Sequence, residues 1–348
     1  MKRHIYLIIF GIAISMAVLA FLYYNFSTNR ISDQYLKNGG FERKLLSLNL
    51  SLEQKYGLNK GYYRIVGADH DKVIIHELNA SNLVVFNPDH TKETIQLPNE
   101  IIPENIFSIS IPPYDKKLID IHCNNDNKIF VFDTKTQEIT SIFVFTTFFE
   151  KAVRASENSF YTFIQGDKRN ETILTHIQFD ENGKEHIIKS SNIIRRSMTD
   201  DGILQKYNGD LLYVNYYNNT IALIDSGLNK ELLYHTIDTI TTEPKTVTIR
   251  NGTITKFVKA PRPVNQLVQT FDNFLFVNSY VSADNDKDNF PRGTSDLIDV
   301  YDIEDELKYV GTIYLKRIDN NRIIDFFADE NTLVLQYTDK ILVYDISL

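Results

Sequence analysis

IFVFD, residues 129–133, is a run of four apolar β-formers that ends on a carboxylate, and the chain repeats the phrase. LVVFN ends at Asn87, HIQFD at Asp180, IALID at Asp225, IDVYD at Asp302 and ILVYD at Asp345. In chain order the six endpoints lie 46, 47, 45, 77 and 43 residues apart. A unit of this length that holds several short strands is the sequence mark of a β-propeller, one blade per repeat.

The second unit resolves into four runs: NIFSISI, KLIDIHC, KIFVFD and EITSIFVF, strands a to d of one blade. The others resolve the same way, with Asn, Asp, Gly and Lys clusters between the runs. The recurring Asp or Asn after strand c has a local reason. Its side chain accepts backbone N–H groups two residues on and so holds the c–d turn. All six therefore read as turn chemistry. The last unit supplies only RIIDFFA, TLVLQYT and KILVYDISL. A sheet left there would expose an edge. LLSLNLSL, residues 45–52, alternates like a strand without a blade of its own, and is predicted to supply the missing strand d and close the ring.

With six blades counted, residues 45–348 resemble the six-bladed propellers of the TolB-like superfamily, through repeat length, blade number and the FD or YD endings. That resemblance implies a fold and no activity. No Trp-Asp repeat, Gly-Gly pair per blade or Tyr-Trp-Thr-Asp phrase points to another propeller family. The expected fold class is all-β, a six-bladed β-propeller closed by an N-terminal strand and preceded by one transmembrane helix.

That helix is read from residues 5–24, IYLIIFGIAISMAVLAFLYY, which carry no charge and follow Lys2 and Arg3. Twenty residues at about 1.5 Å each span roughly 30 Å, the hydrocarbon thickness of a bilayer. A cleaved signal peptide competes, with Val18-Leu19-Ala20 as its processing site, but the apolar run continues past Ala20. Residues 25–43 are polar, contain Gly39-Gly40 and read as a stalk, with the propeller at 44–348. The expectation is a bacterial single-pass protein of the cytoplasmic membrane with its propeller on the periplasmic or extracellular side. A net charge of −8 with scattered basic residues argues against nucleic acid as a partner. The single cysteine, Cys123, can form no internal disulfide and reads as an apolar filler.

The repeat fails once, in the 77-residue interval. The excess falls at residues 238–264, between strand d of blade four and strand a of blade five, and at residues 281–295, the b–c loop of blade five. In an antiparallel blade both connections emerge on one face of the disc, and long loops on a rigid scaffold are where binding resides. The first insertion carries a hairpin signal around Asn251-Gly252, with basic residues Arg250, Lys256, Lys259 and Arg262. The second is acidic, with Asp284, Asp286 and Asp288, then Arg292. Its Asp-x-Asp-x-Asp spacing invites calcium, but Asn289, Arg292 and Ser295 stand where an EF-hand loop needs Gly, a water-bridging ligand and Glu. The loop reads as solvated, its charges answering the basic hairpin.

Strand a of each blade should line a central channel, where the polar candidates are Arg64, Arg154, Gln269 and Asp325. Some enzymes of this architecture, such as lactonases, hold calcium in that channel with several carboxylates. Here the matching strands are dominated by Ile, Val, Phe and Leu. No His pair with metal spacing, nucleophile elbow or phosphate loop is present. The chain thus reads as a binding or scaffold protein with no cofactor, whose protein or small-molecule ligand contacts the insertion face. A calcium-dependent hydrolase is the competing expectation.

Overall fold

The structure is a computed structural model that describes residues 40–46, 49–59, 61–69, 72–112, 115–166, 171–195, 198–249, 254–286, 294–329 and 332–347, with 15, 16 and 19. The apolar run 5–24 and the stalk as far as residue 39 otherwise lie outside the described residues. Among the described residues, no helix is long and apolar enough to cross a membrane.

β1 (Asn49–Gly57) precedes six antiparallel blades. Blade one is β2 (Tyr63–Asp69), β3 (Lys72–Glu77), β4 (Asn82–Phe86) and β5 (Lys92–Gln96). Blade two is β6 (Ser108–Ser110), β7 (Leu118–Cys123), β8 (Lys128–Asp133) and β9 (Glu138–Val144). Blade three is β10 (Phe149–Ser156), β11 (Ser159–Gln165), β12 (Thr172–Phe179) and β13 (Glu185–Arg195). Blade four is β14 (Gly202–Tyr207), β15 (Asp210–Asn215), β16 (Thr220–Ile224) and β17 (Glu231–His235). A separate hairpin follows, β18 (Thr246–Ile249) with β19 (Ile254–Phe257). Blade five is β20 (Asn265–Phe271), β21 (Phe274–Ser279), β22 (Ser295–Asp302) and β23 (Lys308–Lys316). β24 (Asp325–Asp329), β25 (Thr332–Gln336) and β26 (Lys340–Ser347) form blade six, and β1 pairs with β26 as its fourth strand.

The ring therefore closes through the N-terminal strand, but not over residues 45–52 as the alternation predicts. Pairing with β26 runs from Asn49 to Gly57, with a register shift between Leu52 and Gln54. Leu45 instead makes a lone parallel bridge to Thr312 on the outer strand of blade five. The apolar alternation that reads as one strand is split between two blades. Tyr56 seals the seam with blade one, stacking on Phe86 at 4.7 Å and donating to the Asn87 carbonyl at 2.9 Å.

Among the described residues, buried apolar side chains gather in seven clusters, and six of them are the six seams between neighbouring blades. This explains why strands b and c read as continuous apolar runs: each blade is covered on both faces. The seam of blades two and three is aromatic, with Phe143, Phe145, Phe160 and Phe179 packed edge to face and Phe149 tilted against Phe145 at 4.5 Å. The recurrent residue is the turn acceptor expected at four of the six positions. Asn87 instead donates to Thr91 Oγ1 and Glu93, with Asp89 accepting Thr91 N–H. Asp345 lies inside β26, paired with Ser51 and Thr332. Asp133, Asp180, Asp225 and Asp302 each accept two backbone N–H groups of the following c–d turn. Those bonds hold the Asp133 carboxyl below the usual range.

Candidate functional site

The irregular parts of the chain converge on one face. Val264, at the end of the first insertion, donates to the Tyr216 carbonyl of the blade-four b–c loop and accepts from Tyr280 of the blade-five b–c loop. The seventh apolar cluster joins Ile240 and Val264 of the first insertion to Val281 and Ala283 of the second. Its fifth member is Phe41. The N-terminal segment is thus the keystone of both insertions.

Residues 40–43, which read as the end of a stalk, are docked as an arm. Gly40 N–H donates to Asp284 Oδ2 at 2.7 Å, and Asp284 N–H donates to the Phe41 carbonyl at 3.0 Å. Asn285 accepts from Arg43 N–H and donates to the Arg43 carbonyl, at 2.9 and 2.8 Å. Arg43 is 3% exposed as a residue, and its side chain is fully buried. It donates to both oxygens of Asp299 at 2.9 and 3.2 Å, to Asp286 at 2.7 Å and to Ser279 Oγ at 3.0 Å. Burial works against its charge, but the Asp299 and Asp286 carboxylates outweigh burial and raise its pKa. Beyond Arg43 the arm crosses the outer edge of β23 at Thr312 and delivers Leu46 and Leu50 to the seam of blades five and six.

This docking revises the reading of the acidic loop. Asp284 caps the arm and Asp286 pairs with Arg43, while Tyr314 Oη donates to Asp286 at 3.0 Å. The two carboxylates answer the arm rather than the basic hairpin. Asp288 and Arg292 lie outside the described residues, as does Arg250 at the hairpin turn. Among the described residues, no group of three or more His, Cys, Asp and Glu is gathered as metal ligands would be.

The hairpin forms a two-stranded sheet of its own, apart from the blades' sheets. In its register Val247 lies opposite Lys256 and Thr246 opposite Phe257, so strand alternation puts Val247, Ile249, Lys256 and Val258 on one side and Phe257 on the other. Phe257 packs edge-on against Tyr217 at 5.3 Å, which turns the first side outward. Val247 is 40% exposed and Val258 58%. Lys256 and Lys259 are exposed, and Arg262 is half-buried.

Tyr217 adjoins the mouth of the channel. There Tyr216 has its hydroxyl pushed up to about 12 by burial and by the Asp201 and Glu150 carboxylates, with Arg64 opposing them. Lys151 pairs with Asp201 beside them. Arg64 is exposed on β2. Asp325 Oδ2 accepts Ile65 N–H at 2.9 Å, and burial pushes its carboxyl up to about 6. Asp325 is one of several side chains that serve open backbone groups of the inner strands. Gln205 donates to the Val268 carbonyl at 3.2 Å and Lys206 to the Ala155 carbonyl at 2.6 Å. Strand a is an edge strand facing the channel, so its unpaired groups need such partners. Gln269 is half-buried on β20.

Arg154 does not line the channel. Its side chain is buried in the seam of blades two and three, with Nε donating to Asp120 Oδ2 at 2.6 Å, a second bond from Nη2 to Oδ1, and its guanidinium over the Phe160 ring at 4.7 Å. Asp120 and Asp299 carried the one signal by which these pairs could be found. Each is an Asp in the middle of an apolar strand, LIDIHC and LIDVYD, and a buried carboxylate requires a cation. Nothing comparable marks Phe41, Asn285 or Tyr216.

No protein-family model matches the chain, and no curated protein matches it. Solved structures match it in shape. A putative exported protein from Bacteroides fragilis is 11% identical with a TM-score of 0.51, the match covering 86% of this chain and 95% of that one. A chain in the mitotic checkpoint complex is 9% identical with a TM-score of 0.50, over 89% and 97% of the two chains. A catalytically inactive virginiamycin B lyase from Staphylococcus aureus, bound to quinupristin, is 14% identical with a TM-score of 0.49, over 86% and 99%. What is shared is the propeller. At such identities the likeness extends to the fold alone.

Proposed function

We propose that this chain is an exported, membrane-anchored propeller that acts by binding, with its contact surface on the insertion face. One observation carries the reading. The c–d turns of the opposite face repeat one Asx device, whereas the hairpin, the blade-five loop, the arm and the charged mouth at Arg64 and Tyr216 all meet on this face. A rigid scaffold with its irregularity confined to one surface is the usual plan of a binding propeller. The apolar run 5–24 supports the anchor, and the TolB-like pattern of the repeats agrees with an exported body.

The test is photo-crosslinking in cells that make the full chain, with a benzophenone residue at Lys259 or at Lys135 in the blade-two c–d turn. A discrete adduct from Lys259 alone supports the reading. No adduct, or equal adducts from both positions, refutes it.

A further inference from the structure

The arm fixes where the chain leaves the propeller, and therefore which face is tethered. Gly40 sits against Asp284, its Cβ position 3.8 Å from Thr239 in the first insertion, and Phe41 shares a cluster with the hairpin's roots at Ile240 and Val264. Only the fifteen residues 25–39 separate Gly40 from the end of the apolar run. A polar stretch of that length spans roughly 20 Å as a flexible coil and about 50 Å fully extended. From an anchor that close, the insertion face is the part of the disc held nearest the bilayer.

The outward side of the hairpin has the composition that such a position requires. Val247, Ile249 and Val258 expose aliphatic surface, and Lys256 shares that side, with Lys259 and Arg262 just beyond it. Aliphatic side chains ringed by cations bind the headgroup region of an anionic bilayer, through apolar burial together with attraction to the lipid phosphates. The body as a whole offers no such attraction, because the chain's net charge is −8. A local basic hairpin would therefore decide which way the disc lies.

We infer that the outer side of the β18–β19 hairpin rests on the anionic lipid surface of the membrane that holds the anchor, so that the channel mouth opens toward that membrane. This rests on the anchored reading above.

The full-length chain, reconstituted in vesicles of phosphatidylcholine and phosphatidylglycerol, tests it. A fluorophore is placed by Val258→Cys on the hairpin, or by Lys135→Cys on the opposite face. Cys123 is buried and does not compete for label. Quenching by a headgroup spin-labelled lipid is then read, with resistance to alkaline carbonate reporting the anchor separately. The expected result is carbonate-resistant chain whose Val258 probe is quenched at least about twofold more than the Lys135 probe. The difference should shrink in pure phosphatidylcholine, in high salt and in the Lys256→Glu/Lys259→Glu variant, because each basic residue near the surface contributes to the attraction. Carbonate-resistant chain with equal quenching at both positions overturns the hairpin contact and leaves the anchor standing. Chain released by carbonate overturns the anchor, and the contact inferred from it falls too.

Discussion

Arg43 and Asp299 are 256 residues apart in sequence and share two hydrogen bonds in the interior of blade five. The pair joins the segment just outside the repeats to the middle of strand c. It makes the N-terminal arm part of the propeller.

Replacing Arg43 by Ala should therefore act as a core lesion. Asp299 would be left buried without its cation, and removal of one partner from a buried pair costs about 3–5 kcal/mol. Urea unfolding of the purified chain measures it. A loss of under about 1 kcal/mol would show that the arm detaches without consequence, as a surface pair does.

The second buried pair separates charge from packing. Asp120→Ala alone should destabilise by about 3–5 kcal/mol, because Arg154 remains buried between blades two and three. The double change Asp120→Leu/Arg154→Met replaces the pair with apolar volume and should recover most of that loss. A double variant no better than the single one would mean that the pair supplies shape that apolar groups cannot.

The turn aspartates are placed to be structural. Asp133→Ala, Asp180→Ala and Asp225→Ala each delete two side-chain bonds to backbone and should lower stability modestly, each far less than the loss of a buried pair partner. They lie in separate blades, so the losses should add. Crosslinking from Lys259 should be unchanged in all three. An adduct lost with any one of them would give that carboxylate a role beyond its turn.

These pairs also show where sequence runs out. Blade number, strand order and the Asx turns were legible because they depend on neighbours in the chain, through alternation and turn geometry. The arm was not. Phe41 and Arg43 sit in a polar, Gly-containing stretch, and their partners Val281, Asp286 and Asp299 are more than two hundred residues away. For the same reason the Asp284 and Asp286 spacing suggested a cation when the cation was a guanidinium. The site fared in between: the insertions were found by their length, while Tyr216, on a turn of ordinary length, carried no mark.

The acid range offers a test with two signs. Burial, reinforced by the Arg154 charge, lowers the His122 pKa from 6.5 to about 3. Its contribution to stability is present above pH 6.5 and is lost as pH falls toward 3, where only the unfolded chain holds the proton readily. Burial raises the Asp325 carboxyl from 3.8 to about 6. Its contribution is full below pH 3.8 and is lost as pH rises through 6. Between pH 4 and 6 the two oppose each other, each with a slope of at most about 1.4 kcal/mol per pH unit. Relative to the parent chain, His122→Phe should therefore lose stability progressively as pH rises from 4 to 6, and Asp325→Asn should gain it. Unfolding free energies at pH 4, 5, 6 and 7 decide the matter. Parallel curves for Asp325→Asn and the parent would mean that water reaches the carboxylate at the channel wall. Parallel curves for His122→Phe would mean that the seam of blades two and three opens before the imidazole must be protonated.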